Sequence, residues 1–134
     1  MLQETQQLLL VEDEEALVFG LQRLLQTPVI AVDTARTLDE ANALINTKTY
    51  NAVITDLNLS PANALEGLEV IRNTKAHQPG CKIIAITAYG QDPLGDNVRD
   101  LGADFYLEKP VPPRTIKELL HSIGFQYNVM APQV

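Results

Sequence analysis

Five short apolar runs alternate along the chain with stretches whose apolar residues recur at helical spacing. That alternation predicts βα units, and hence a parallel sheet covered by helices on both faces. Residues 8–11, 29–32, 51–55, 82–86 and 104–107 read as the strands, each short and mostly apolar. Between them, Ala16, Leu17, Gly20, Leu21, Leu24 and Leu25 form the inward stripe of a first helix, and Ile116, Leu119, Leu120 and Ile123 that of a fifth and last one. Thr37 stands three residues before Glu40, the spacing of a capping box, so a second helix begins there with Leu38, Ala41, Leu44 and Ile45 inward. Leu65, Leu68 and Ile71 carry a third. A fourth takes Asp92 as its N-cap and Pro93 as its first residue, presents Leu94, Val98 and Leu101, and stops at Gly102. Gly95 weakens it by about 1 kcal/mol relative to alanine. Gly124 ends the fifth helix; a domain over 1–124 is expected, with 125–134 a C-terminal tail or the start of a linker.

Composition narrows the class. A chain of 134 residues fits one domain, and 46% hydrophobic with 20% charged residues is the balance of a packed globule rather than a disordered segment. The net charge of −7, with no clustered lysine and arginine, argues against direct nucleic-acid binding. The apolar run at 8–11 is far too short to span a bilayer, and the N-terminus lacks a signal peptide's basic start and apolar middle, so a cytoplasmic protein without a membrane partner is expected. Cys81 opens an apolar run and reads as a buried structural thiol. His77 and His121 fall on exposed helix sides, and Tyr89 reads as a surface aromatic.

In an open α/β sheet, ligands bind beyond the carboxyl ends of the strands. Those ends are polar here: the first strand runs out into Glu12 and Asp13, the third into Asp56, the fourth into Thr87 and the fifth, one residue on, into Lys109. Three carboxylates forced together repel, and burying them is costly unless a cation compensates. Oxygen-only ligands favour a hard cation, and one that keeps waters and recruits phosphate oxygens is Mg²⁺. With Glu12, Asp13 and Asp56 ionised, Mg²⁺ and Lys109 bring the formal sum to zero. A carboxylate attacks activated phosphorus to give an acyl phosphate, and Asp56, on the middle strand, is the expected acceptor, with Lys109 and Thr87 complementing phosphate oxygens. Asp33 also follows a strand, but one at the sheet edge, and is expected to be a solvated loop residue.

The segments 8–14, 52–58, 84–88 and 102–110 (LLLVEDE, AVITDLN, IAITA and GADFYLEKP) resemble the response-regulator receiver family in order and spacing. The resemblance covers the chain from its first strand to its last helix. It implies a doubly wound, flavodoxin-like (CheY-like) five-stranded parallel sheet of order 2-1-3-4-5. It implies Mg²⁺ on Glu12, Asp13, Asp56 and the backbone carbonyl of Asn58, phosphorylation of Asp56, and phosphate contacts from Thr87 and Lys109. It also implies Tyr106 as the aromatic partner of Thr87 in a switch, and a cis Lys109–Pro110 bond. The implied partners are a sensor histidine kinase or histidine phosphotransfer protein and a downstream protein.

The chain departs from the family after the acceptor. Leu59 is followed by Ser60 before Pro61, and the stretch from Asp56 to Gly67 is about three residues longer than usual. Two other functions compete. A receiver-like module that binds partners without phosphorylation usually lacks the acceptor or the acidic pair, and both stand here. A Mg²⁺ phosphatase of the haloacid-dehalogenase type needs a second aspartate two residues after the nucleophile, where this chain has Asn58. The expectation is a phosphoacceptor with at most slow self-dephosphorylation, not an enzyme acting on external substrates.

Overall fold

The computed structural model describes residues 5–57, 66–87 and 102–127. They form β1 (Gln6–Val11), α1 (Glu15–Leu25), β2 (Ile30–Ala35), α2 (Leu38–Thr47), β3 (Ala52–Asp56), α3 (Glu66–His77), β4 (Lys82–Thr87), β5 (Phe105–Glu108) and α4 (Pro113–Ser122). Helix α4 is therefore the fifth predicted helix. The predicted fourth, with Asp92, Pro93 and Gly95, lies outside the described residues, as do Tyr89 and the segment 58–65 that holds Asn58 and Leu65.

The strands form one parallel sheet in the order β2-β1-β3-β4-β5. Leu10, Ile54, Ile84 and Phe105 lie in register across four of them. Successive side chains of a strand point to opposite faces. Leu8 and Leu10 thus join Leu25, Ile54, Ile116 and Leu120 under α1 and α4, whereas Leu9 and Val11 join Ala41, Ile45 and Val70 under α2 and α3. A third cluster, with Leu57, Ile71, Ile83 and Ala85, extends the second face toward β4. Burying each large side chain contributes about 1.5–3 kcal/mol, which holds the strand ends rigidly in place.

Several expectations shift. On α1 the inward stripe is Val18, Leu21 and Leu25, with Leu17 half-buried. Ala16 is exposed and Leu24 is 48% exposed, because at 100° per residue both turn away from the centre of that stripe. On α3 the buried face is Gly67, Val70, Ile71 and Thr74, with Leu68 half-buried at its margin. The N-cap of α2 is as predicted: Thr37 Oγ1 accepts from the Glu40 amide at 3.1 Å. The Glu40 carboxylate accepts from the Arg36 amide, one residue before the position of a full capping box. Cys81 is buried, and burial pushes its thiol up to about 12, consistent with a packing role.

The expectation for Asp33 is corrected. It lies inside β2, paired with Leu9, and is half-buried. Its Oδ2 accepts from Tyr50 Oη and Lys48 Nζ, each at 2.7 Å. Those two bonds explain how a carboxylate is tolerated within a strand. Packing also continues past Gly124. That residue takes φ +111, a left-handed turn that favours glycine, and reverses the chain so that Phe125 and Tyr127 re-enter the core. Gln6 brackets the segment, donating to the Gly124 carbonyl and accepting from the Gln126 amide, and the Tyr127 hydroxyl donates to the Leu25 carbonyl at the end of α1.

Burial alone would raise Asp33, but the bonds from Lys48 and Tyr50 outweigh it and hold the carboxyl below its ordinary value. Tyr50→Phe should therefore cost about 1–2 kcal/mol at pH 7 in urea unfolding. A depressed carboxylate stabilises above its unfolded pKa and loses that contribution as pH falls through its folded one. The gap between parent and variant should accordingly shrink below about pH 4; a gap that does not change with pH would exclude Asp33 as the partner.

Candidate functional site

The carboxyl ends of β1, β3, β4 and β5 lie along one edge, and ladder bonds continue past the strands to fix the residues there. The Glu12 amide donates to the Ala35 carbonyl at 3.0 Å, and the Leu57 amide to the Ile86 carbonyl at 2.9 Å. The Lys109 amide donates to the Thr87 carbonyl at 2.7 Å. Glu12, Asp56 and Thr87 are buried polar residues, and Asp13 is half-buried beside them. The Lys109–Pro110 peptide is cis.

The structure brings the predicted carboxylates together. One oxygen from each of Glu12, Asp13 and Asp56 falls within 4.8 Å of the others. The ammonium of Lys109 sits between two of them, 2.6 Å from Asp56 Oδ2 and 3.0 Å from Glu12 Oε1. A cavity of about 250 Å³ adjoins this trio on the α1 and α4 side, walled mainly by apolar side chains such as Leu17, Ile54, Ile86 and Val111. Thr87 shares by alternation the opposite sheet face with Ile83 and Ala85, against which Tyr106 packs. Asn58 lies outside the described residues. His77 and His121 are exposed, away from this edge.

One contributor was not anticipated. Arg36, one residue beyond β2, donates from Nη2 to the backbone carbonyl of Asp13 at 3.3 Å and lies 3.8 Å from the Glu15 carboxylate. Its signal in the sequence is simply a cation at the carboxyl end of a strand, on the same edge as the acidic pair.

The electrostatics follow from burial. Desolvation, then the charge of Asp56, pushes the Glu12 carboxyl up to about 7, although the Lys109 hydrogen bond pulls the other way. Burial alone would lower Lys109; its hydrogen bonds to Asp56 and Glu12 outweigh that and raise it, so it is a fixed cation. Without a bound cation, burial thus holds Glu12 near the edge of ionisation. The residues fit a hard divalent cation well, because the cluster offers three oxygen donors with more negative charge than one lysine balances.

The family model for the response regulator receiver domain matches residues 8–121. The chain is 28% identical over 117 residues to the photosynthetic apparatus regulatory protein RegA of Cereibacter sphaeroides, covering 87% of this chain and 62% of that protein. It is 39% identical over 105 residues to the transcriptional regulatory protein PmrA of Pectobacterium parmentieri, covering 77% of this chain and 45% of that one. The chain therefore spans roughly half the length of these curated relatives. Among solved structures, a CheY-like receiver domain protein from Methanospirillum hungatei superposes with a TM-score of 0.81 at 28% identity, over 89% of this chain and 93% of the other. A response regulator from Burkholderia pseudomallei, solved with a phosphorylated aspartic acid, a calcium ion and citrate, superposes with a TM-score of 0.74 at 26% identity, over 89% and 73%. No helix among the described residues is long and apolar enough to cross a membrane.

Because Glu12 is buried among like charges, neutralising it should relieve the metal-free fold. Glu12→Gln keeps an acceptor for Lys109, and at pH 8 should stabilise by about 1–3 kcal/mol in chemical denaturation without divalent ions. A loss of stability instead would mean that the Lys109 pairing outweighs burial.

Proposed function

This chain belongs to the response regulator receiver domain family of two-component signalling, and on that premise we propose that it is a phosphorylation switch whose acceptor is the carboxylate of Asp56. The observation that carries the proposal is the placement of Asp56: buried at the end of the central strand, 2.6 Å from the Lys109 ammonium, and clustered with the carboxylates of Glu12 and Asp13.

An oxygen of Asp56 attacks the phosphorus of a phosphohistidine on a sensor kinase or phosphotransfer protein. The P–O bond of an acyl phosphate forms as the P–N bond breaks, and the electron pair leaves with the imidazole nitrogen. Glu12, Asp13 and Asp56, with the Asn58 carbonyl that the family resemblance implies, would hold Mg²⁺, which when bound neutralises charge between the carboxylates and the incoming phosphoryl oxygens. Lys109 already faces Asp56 and needs only to exchange one carboxylate oxygen for a phosphoryl oxygen. Thr87 and Tyr106 share a sheet face, which supports the reading that movement of Thr87 toward the phosphate is answered by Tyr106. The phosphorylated aspartate and calcium ion of the Burkholderia pseudomallei protein support the same chemistry here. We infer a cytoplasmic module whose phosphorylated surface recruits a downstream protein.

Incubation with acetyl phosphate and Mg²⁺ should add one phosphoryl group, read by intact mass, and Asp56→Asn should take none. Labelling of that variant at the parental rate would remove Asp56 as the acceptor. In the parent, Mg²⁺ at ten times its dissociation constant should stabilise the fold by about 1.4 kcal/mol, a rise of several degrees in melting midpoint. Calcium should act in the same direction and Na⁺ at matched ionic strength should not; an unmoved midpoint at saturating Mg²⁺ contradicts a folded acidic pocket.

A further inference from the structure

The two peptide units that meet at Leu57, the acceptor's own and the one after it, are held from two sides. On one, the Leu57 amide donates to the Ile86 carbonyl of β4 at 2.9 Å. On the other, the first turn of α3 lies against them: the Gly67 amide donates to the Leu57 carbonyl at 3.2 Å, and Gly67 is buried. A Cβ built at Gly67 would stand 2.3 Å from Leu57 Cα, 2.5 Å from the Asp56 carbonyl oxygen and 2.8 Å from the Leu57 carbonyl carbon. All three are backbone atoms, so no side chain can swing aside. The other described glycines differ. At Gly20, Gly80 and Gly124 a Cβ meets nothing within 4 Å, and at Gly102 the three nearest atoms all belong to the flexible side chain of Lys75.

Resting on the phosphoacceptor reading, we propose that Gly67 is a positioning residue for phosphoryl transfer: its missing side chain lets α3 press directly on the Asp56–Leu57 peptide and so aims the Asp56 carboxylate. Restoring an ordinary contact of about 3.4 Å would move that peptide or α3 by roughly 1 Å. A misplacement of about 1 Å at a reacting group can cost on the order of 10²-fold in rate. The contact has a second consequence. Leu57 and Gly67 flank residues 58–66, within the stretch that the sequence leads one to expect is longer than the family's. With its two ends pinned to each other, that segment can vary in length without transmitting the change to Asp56, since longer closed loops add little closure entropy.

Phosphoryl uptake from acetyl phosphate at saturating Mg²⁺, at a temperature where melting shows every protein folded, tests this. Gly67→Ala should label at least tenfold more slowly than the parent. Leu120→Ala, which truncates a buried core side chain on α4 and leaves the Gly67 contact intact, should label within twofold of the parent, separating aim from stability. Insertion of Gly-Gly between Ala62 and Asn63 should also stay within twofold. Parental labelling by Gly67→Ala, or an equal fall in Leu120→Ala, overturns the proposal. Should Gly67→Ala not fold, the insertion decides: parental labelling supports the pinned contact and a tenfold loss overturns it. A parent that takes no label sinks the phosphoacceptor reading and this inference together, whereas a labelled parent matched by Gly67→Ala sinks the inference alone.

Discussion

Three carboxylates cluster at the edge of a rigid sheet where one ammonium bonds two of them, and the rest of the site depends on that imbalance. Glu12 and Asp56 each hold a hydrogen bond from Lys109, yet Glu12 is still driven toward protonation by burial. The strands cannot splay to relieve the repulsion, because the ladder bonds continue through Glu12, Leu57 and Lys109 and the side chains beneath are fully buried. Relief has to come from something added, whether a proton, a metal ion or a rearranged charge. A site built this way is sensitive to its ligands because the fold denies it any other adjustment.

The sheet also distributes the site between two layers. Asp56 borders the cavity on the α1 and α4 side, while Thr87 and Tyr106 belong to the face covered by α3. A parallel sheet five strands wide has its central strand buried on both faces, so a change at the end of β3 is felt by packing on each side at once. An acceptor on an edge strand would have only one neighbouring ladder through which to act.

Much of this was legible in the sequence because a parallel sheet places its functional residues at strand ends, which apolar runs reveal directly. Glu12, Asp13, Asp56, Thr87 and Lys109 were all locatable that way, and the structure brings them to one edge. Strand lengths were less legible. Strand β2 runs on through Asp33 because Tyr50 and Lys48, distant in sequence, satisfy a carboxylate that by itself signals a loop. The buried stripe on α1 is rotated from the one the helical spacing predicts: Leu24 faces outward while Val18 faces in. Gly67 carried no chemical signal, since its significance lies in an approach between two backbones that no local pattern encodes.

The residues after α4 have a mechanical meaning. Tyr127 is bonded to the end of α1, Gln6 at the start of β1 grips Gly124 and Gln126 from either side, and Phe125 is stacked with Tyr127 in the core. Tension applied beyond Tyr127 would therefore load these contacts in parallel, with α1 and β1 sharing the force, before it could unzip α4 turn by turn. The pole of the molecule opposite the acidic edge is thus its anchor point, where the start of β1 and the end of α1 are tied to the segment after α4.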